Sequence, residues 1–411
     1  MNKKFLLSIY CVSIFFFISC KENNKKTIFN SDNIFAEYYI NNSGKKFWGV
    51  DPKIELDVLH VECENPSNVV TFKSKIDTIQ FQVKEGDTIN FKIVLHKKDT
   101  AMTQIVGIPK VIKNRNPLKA EIHTEDVKRF WKAYDMVQKN PEKSYQLYAN
   151  EYIKGGTEGW KDYFRMKVRD TTKFVDHHNE RPKFYASIKE TMLNIDDVKP
   201  SMYKSFQKMK ELYSKSIFPD VYFVMGRFSS AGTVSNKGLL IGLNQICRTE
   251  SSITDELTLW QKNNFLDYES LPHVIAHELI HYQQFNMPAD STTLRTTIVE
   301  GMADFIGEKI SGKRPSERVA KWAKGKENDI RERFIKDMLL AKSNNWIANS
   351  DQETKDFPAD QGYWVGYEIC KAYYDQSNDK SKAIVEILEI QDYEAFLKKS
   401  GWMHKKYPEG N

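Results

Sequence analysis

The feature of this 411-residue chain that most constrains its fold is the histidine pair His277 and His281, with Glu278 beside the first histidine. Residues four apart on a helix lie one turn apart and about 40° around the axis, so both imidazoles can reach one tetrahedral ion. Glu278 lies about 100° around the helix from His277, where it can touch a water on the ion without becoming a ligand. The pattern therefore predicts a helix that carries a metal site and a general base.

The opposite face of this predicted helix is apolar. Ile275, Leu279 and Tyr282 lie at i, i+4 and i+7, the spacing of a stripe that anchors a helix in a core. Because the chain has only nine histidines, an accidental match to the motif is expected to be rare. The alternatives are such an accident or a site that has lost its metal.

A third ligand is expected from another segment. Glu300 lies in Thr296–Ile306, which has the composition of a second helix, and Asp304 follows one turn later on the same face. A catalytic zinc site has three protein ligands, and an acidic neighbour can accept the free ring N–H of a ligand histidine. We therefore expect zinc (Zn2+) on His277, His281 and Glu300, with Asp304 orienting one imidazole.

At these residues a family resemblance becomes visible. Two histidines around Glu278, then eighteen intervening residues, Glu300 and Asp304, resemble the gluzincin arrangement of zinc metallopeptidases. The amino-acid sequence of residues 277–284 and 300–305 is similar to the corresponding segments of predicted zinc-dependent proteases of the DUF2268 kind. It is also similar to related lipoproteins of Bacteroidetes, gliding-motility-associated members among them. The resemblance covers roughly residues 120–400 and implies a zincin-like metallopeptidase domain.

Metallopeptidase chemistry would use these residues in defined roles. Zinc would lower the pKa of a water toward roughly 7, and Glu278 would take its proton as it attacks a peptide carbonyl. In similar zinc peptidases a Tyr or His donates to the oxyanion, and position in the chain favours Tyr363 or Tyr367. Aromatic packing is the alternative role for either tyrosine.

Three further histidines are weaker candidates. His273 lies one turn before the first ligand, but three ligands along one straight helix cannot all reach one ion, and Pro272 marks the helix start. We expect His273 at the rim of the site. His177 and His178 are adjacent, so they would point apart on a helix, and the nearby Pro182 indicates an exposed turn.

The amino-terminal sequence predicts where in the cell the protein is located. Basic Met1–Lys4, apolar Phe5–Ile18 and then Cys20 indicate a signal peptide over residues 1–19 and resemble a bacterial lipobox with lipid on Cys20. Residues 20–27 would be a polar tether. An ordinary secretory signal is the alternative.

The residue after the predicted lipidation site resembles that of outer-membrane lipoproteins, since Lys21 stands where Asp would retain the protein. We therefore expect a cell-envelope protein, anchored to the outer membrane through its lipid and facing the periplasm or cell surface. Cys63, Cys247 and Cys370 would remain for at most one disulfide, so no cysteine framework holds the fold.

Composition limits the class of protein and the partners that it can have. A hydrophobic content of 40% and an aromatic content of 13% indicate a globular protein. The net charge of +6 is the balance of 61 basic and 55 acidic residues, a mixed surface that argues against a nucleic-acid partner. A peptide or protein substrate and the lipid bilayer are the expected partners.

The pattern along the chain predicts an α+β protein with two domains. Residues 28–114 read as a small antiparallel, β-sandwich-like domain, and residues 115–411 as a mainly helical zincin-like domain with a short sheet. Val111–Pro117 would be the linker. Segments with strand pattern in the first domain are Ile54–Leu59, Asp77–Val83 and Thr88–Leu95, with a turn at Glu85–Asp87.

In the second domain, helical spacing covers Asp126–Gln138, Pro141–Lys154 and Lys199–Ser214. Phe218–Met225 and Gly238–Ile246 would form the short sheet beside the site. A plain structural hairpin is the alternative for this pair.

Two other functions remain open. The chain could be a catalytically idle zincin-like lipoprotein with a structural or motility-assembly role in the envelope. Alternatively, the β domain could be a receptor-like binder that the helical domain supports.

Overall fold

The structure is a computed structural model. It describes residues 114–407, apart from 236, 285–286, 289, 316 and 342–344, together with the backbone of eight strands between residues 28 and 108. The chain forms two compact units, Met1–Ile112 and Lys113–Asn411. The predicted signal peptide, the predicted lipidation site Cys20 and the tether lie outside the described residues.

The described strands of the N-terminal unit form two sheets. They are β1 (Ile28–Ser31), β2 (Tyr38–Ile40), β3 (Lys46–Trp48), β4 (His60–Glu64), β5 (Val69–Lys73), β6 (Thr78–Gln82), β7 (Thr88–His96) and β8 (Asp99–Ile108). The strand orders are β3-β2-β1-β7-β8 and β4-β5-β6. The predicted strands Asp77–Val83 and Thr88–Leu95 correspond to β6 and β7, whereas Ile54–Leu59 and the turn Glu85–Asp87 lie outside the described residues.

One strand pairing departs from the predicted antiparallel sheet. β1 runs parallel to β7, with Ile28 opposite Thr88, while the other pairings of the two sheets are antiparallel. Parallel neighbours require a long crossover between the strands, and more than fifty residues separate these two in the chain. The expectation of a purely antiparallel unit is therefore wrong at this pairing.

The second unit is mostly helical, as predicted, with a small four-stranded sheet, which makes the chain an α+β protein. Its helices are α1 (Glu125–Lys139), α2 (Ser144–Leu147), α3 (Glu158–Tyr163), α4 (Thr171–Asn179), α5 (Pro182–Leu193), α6 (Lys199–Leu212), α7 (Leu259–Asn264), α8 (Leu271–Gln283), α9 (Thr293–Ser311), α10 (Glu317–Ala323), α11 (Glu327–Asp337), α12 (Gln361–Gln376), α13 (Lys380–Leu388) and α14 (Tyr393–Ser400). Among the described residues, no helix combines the length and the apolar character that crossing a membrane requires.

Two of the three predicted helical segments are single helices, α1 and α6. The third, Pro141–Lys154, is divided into a 3-10 turn at Pro141–Lys143, the short α2 and a π-helix at Tyr148–Ile153. Apolar spacing alone does not distinguish these helix types, because all of them place one face on the core.

The sheet of this unit contains β9 (Ile122–His123), β10 (Asp220–Val224), β11 (Gly232–Ser235) and β12 (Gly238–Gly242), in the order β11-β12-β10-β9. The two predicted strands correspond to β10 and β12, and they pair in parallel rather than as a hairpin. The segment between them supplies β11, which runs antiparallel to β12 at one edge. Asn114, at the predicted linker, accepts a 2.8 Å hydrogen bond from the backbone of Phe218, so this end of the linker is fixed to the unit.

Helices α8 and α9 carry the predicted site and pack against each other. Ile275 and Leu279 are fully buried, as the apolar stripe predicts. Helix α9 begins where the Thr292 hydroxyl accepts a hydrogen bond from the backbone of Arg295. Gly307 permits the close approach, because a Cβ there would lie 3.3 Å from the backbone nitrogen of His277.

Helix α12 is held against α9 by a glycine pair. A Cβ on Gly366 would lie 3.0 Å from the Cα of Gly301 and would collide with the carbonyl of Thr297. A Cβ on Gly301 would in turn collide with the backbone of Gly366. The crossing point thus requires glycine on both helices, and it brings the first turn of α12 beside the predicted metal ligands.

Candidate metal centre

Three ligand atoms from two helices converge on one point. Nε2 of His277 and Nε2 of His281 are 3.0 Å apart, and Oε2 of Glu300 lies 3.1 Å from His281 and 3.5 Å from His277. Four ligands at ~2.0–2.1 Å from a tetrahedral zinc ion would be separated by roughly 3.3 Å. These three residues are the metal-type cluster found among the described residues, and their spacing fits zinc.

The outward nitrogens of both imidazoles have partners that orient the rings. Nδ1 of His277 lies 2.8 Å from Oδ1 of Asp304, and Nδ1 of His281 lies 2.8 Å from Oε1 of Gln284. The amide nitrogen of Gln284 donates to the carbonyl of Val299, which assigns its oxygen to the histidine. Since both partners accept, each ring donates from Nδ1, and its Nε2 faces the common point, where its lone pair would bind a metal.

The electrostatics of the three groups favour a cation between them. Burial acts to lower the pKa of His277, but hydrogen bonds to Asp304 and Glu300 outweigh it and raise that pKa well above its usual range. Burial acts to raise the pKa of Glu300, but the two imidazoles hold it well below its usual range. Without a metal, a proton fulfils the need for positive charge at this point.

Glu278 stands beside this cluster without belonging to it. Burial raises the pKa of its carboxyl, and the neighbouring imidazoles of His281 and His277 partly offset that effect. Its carboxylate makes no hydrogen bond among the described residues and packs against the backbone of Gly232 on β11. Glu278 is therefore an acceptor free to engage a water or substrate group, in the position expected of a general base.

The two predicted tyrosines occupy different environments. The ring of Tyr363 stacks on that of His277, with centroids 6.0 Å apart, and its hydroxyl has no hydrogen-bond partner among the described residues. The hydroxyl of Tyr367 donates to Glu308, and the Arg314 guanidinium lies over its ring. Tyr363 thus lies beside the metal cluster, while the Tyr367 hydroxyl is already engaged elsewhere.

The remaining histidines lie outside the cluster. Nδ1 of His273 is 2.9 Å from the Ser311 hydroxyl, at the far end of α9 from Glu300. His177 and His178 are buried on α4, so the predicted exposed turn is wrong at both positions. Pro182 begins the next helix, α5, which packs these imidazoles against an aromatic core.

Two residues of the site were absent from the predictions. Gln284, the partner of His281, follows it by three residues, a spacing that reaches the same face of a helix end. Gly232 lies in a Ser- and Gly-rich segment without strand periodicity, so its contact with Glu278 could be found only from the fold. Cys247 and Cys370 are buried free thiols and do not pair with each other.

Comparison with known proteins identifies the family of this chain. No curated protein and no solved structure matches the chain. The profile described as "Gliding motility protein GldB" matches residues 111–404, which is more than half of the chain. The family is one of gliding-motility lipoproteins, in agreement with the envelope association expected from the amino terminus. The described cluster lies within the matched range, and the chain belongs to the GldB family of gliding-motility lipoproteins.

Proposed function

We propose that this GldB-family protein binds zinc through His277, His281 and Glu300 and hydrolyses peptide bonds in the cell envelope. The observation that carries the proposal is the triangle of ligand atoms, 3.0 to 3.5 Å apart, with the unengaged carboxylate of Glu278 beside it. A site built only to hold a metal does not need this fourth group, whereas hydrolysis needs a base next to the attacking water.

The roles of the chain's own residues follow from their positions. When bound, zinc would lower the pKa of a water to about 7 and polarise a carbonyl oxygen. Glu278 would accept the proton of the attacking water and pass it to the leaving amine. The free hydroxyl of Tyr363 would donate to the oxyanion of the tetrahedral intermediate. Asp304 would hold His277 in its ligand tautomer throughout.

The fold offers a place for an extended substrate. β11 is the terminal strand of its sheet, and its Gly232 lies directly against Glu278. A peptide that adds to this edge by backbone hydrogen bonds would pass the base and the metal. A histidine helix, a second helix with the acidic ligand and an edge strand beside the base together support a zincin-like domain.

The predicted lipid on Cys20 would place this chemistry outside the cytoplasm, at the outer membrane. The expected substrate is then a peptide or protein of the periplasm or cell surface. The polar tether after Cys20 would separate the two structural units from the bilayer.

The test is a peptide-library digest by the zinc-loaded full chain, wild type against Glu278→Gln, with zinc measured in both. The substitution keeps the shape and the zinc ligands but removes the proton acceptor, so we expect cleavage by the wild type only. Equal cleavage by both proteins would reject Glu278 as the base. Absence of zinc from both would reject the metal site.

A second candidate is favoured by the family's description, which names gliding motility. In this case the cluster would hold zinc as a cross-link between α8 and α9, in a catalytically idle lipoprotein with a role in motility assembly. The same experiment distinguishes the two. Stoichiometric zinc with no hydrolysis of any peptide pool would support the idle protein and contradict the hydrolase.

A further inference from the structure

Tyr163, the last residue of α3, occupies a slot made by two glycines. Its side chain is fully buried. A Cβ on Gly226 would lie 2.8 Å from the tyrosine hydroxyl, and a Cβ on Gly242 would lie closer still. The slot therefore exists only because both neighbours lack side chains. This slot holds the Tyr163 ring so that its hydroxyl reaches Ser230, two residues before β11.

The hydroxyl of Tyr163 donates a 2.6 Å hydrogen bond to the carbonyl of Ser230. The Ser230 hydroxyl donates in turn to the carbonyl of Gly232 at 2.5 Å. The carbonyl of Ala231, between them, accepts a 2.9 Å bond from the backbone of Gly242. The first two bonds connect Tyr163 to Gly232, the first residue of the edge strand, and the third joins this segment to the end of β12.

Gly232, at the start of β11, contacts the side chain of Glu278. A Cβ on Gly232 would lie 2.6 Å from Cγ and 2.7 Å from Cδ of Glu278, so the backbone of β11 packs directly on the carboxylate. Glu278 has no hydrogen bond among the described residues that would fix its rotamer. Its orientation therefore depends on this packing contact.

We propose that Tyr163 is a positioning residue for Glu278, acting through Ser230 and Gly232. The inference rests on the proposed function, because it concerns how the base is held at the same site. A general base must lie within hydrogen-bond reach of the proton that it takes, and a displacement of about 1 Å can cost up to about 100-fold in rate. Tyr163 would thus control the rate without touching metal or substrate.

The test compares Tyr163→Phe and Gly232→Ala with the control Tyr152→Phe in the zinc-loaded full chain. Tyr152 is an equally buried tyrosine, and its hydroxyl donates to the carbonyl of Met225, at the end of β10 rather than beside the base. Gly232→Ala is expected to fold, because the added methyl group meets a side chain that can turn away. It displaces Glu278 by a second route.

The measurements are kcat, KM, zinc content and the affinity of a peptide hydroxamate, which chelates zinc and contacts the base. For Tyr163→Phe and Gly232→Ala we expect kcat to fall by about tenfold or more, with KM changed less than about twofold. Hydroxamate affinity should fall with kcat, and zinc should stay stoichiometric. Tyr152→Phe should keep wild-type kcat and affinity even if it unfolds more easily.

The outcomes separate the two proposals. An active wild type with unchanged kcat and hydroxamate affinity in Tyr163→Phe overturns the positioning role and leaves the hydrolase intact. Equal losses in Tyr163→Phe and Tyr152→Phe also overturn it, since the effect would then be general destabilisation. A wild type that holds zinc but neither cleaves peptides nor binds the hydroxamate overturns the hydrolase, and the positioning role with it.

Discussion

Nδ1 of His277 lies 2.8 Å from Oδ1 of Asp304, and the Asp304 side chain is only 1% exposed. This buried carboxylate comes from α9, the helix that also supplies Glu300, so one helix both contributes a ligand and orients another. The geometry of the site therefore depends on the packing of α8 against α9.

Asp304→Asn should weaken zinc binding without abolishing it. The amide can still accept from His277, but it removes the negative charge that stabilises the metal-bound imidazole. Loss of such a partner typically costs about 10–100-fold in metal affinity. Competition with a zinc chelator measures the change, and unchanged affinity would show that Asp304 serves packing alone.

Zinc affinity should rise with pH. In the metal-free protein, hydrogen bonds to Asp304 and Glu300 outweigh burial and raise the pKa of His277 well above its usual 6.5. Its proton therefore competes with the metal at neutral pH, and the competition weakens as pH increases. For one displaced proton the affinity rises about tenfold per pH unit. Zinc titrations from pH 6 to 8 measure this slope, and a flat profile would contradict it.

Tyr363→Phe should lower the rate of peptide hydrolysis and leave the zinc content intact. Removal of one donor to an oxyanion costs roughly 100-fold or more in kcat. Tyr367→Phe is the matched control. Tyr367 lies on α12 like Tyr363, but its hydroxyl donates to Glu308 on α9 rather than facing the metal ligands. Equal rates for the two variants would remove Tyr363 from the proposed mechanism.

Gly301→Ala should destabilise the fold, although alanine usually favours a helix over glycine. The added Cβ collides with the backbone of Gly366, which cannot turn away as a side chain could. We expect a loss of about 1–3 kcal/mol, the usual cost of overpacking. Urea unfolding measures it, with Gly155→Ala as control, since a Cβ there meets only the Arg129 side chain at 3.8 Å or beyond. A stability equal to that of the control would contradict the tight crossing.

The sequence predicted those parts of the site that depend on local periodicity. The spacing of His277 and His281 and the apolar stripe with Leu279 are properties of one helix, so they could be inferred before any fold was known. The convergence of Glu300 with them was predicted from the resemblance and from the ligand count of zinc. The distance from Oε2 of Glu300 to the two imidazoles depends on the packing of α8 against α9.

Features that depend on tertiary contacts were not predictable in this way. Gly232 carries no side chain and lies outside any strand pattern, so its contact with Glu278 arises only from the sheet. The expectation of an exposed turn at His177 and His178 is wrong, because a proline is equally common in a turn and in the first turn of a helix, where Pro182 lies. The parallel pairing of β10 and β12 likewise needs the long-range topology.

The zinc content of the purified full chain tests the central claim most directly. After dialysis against zinc and then buffer, the wild type and His273→Ala should retain stoichiometric zinc, because His273 is bound to Ser311 rather than to the cluster. His281→Ala should retain none, since this imidazole supplies one of the three ligand atoms of the cluster. A wild type without zinc, or equal zinc in His281→Ala, would contradict the account.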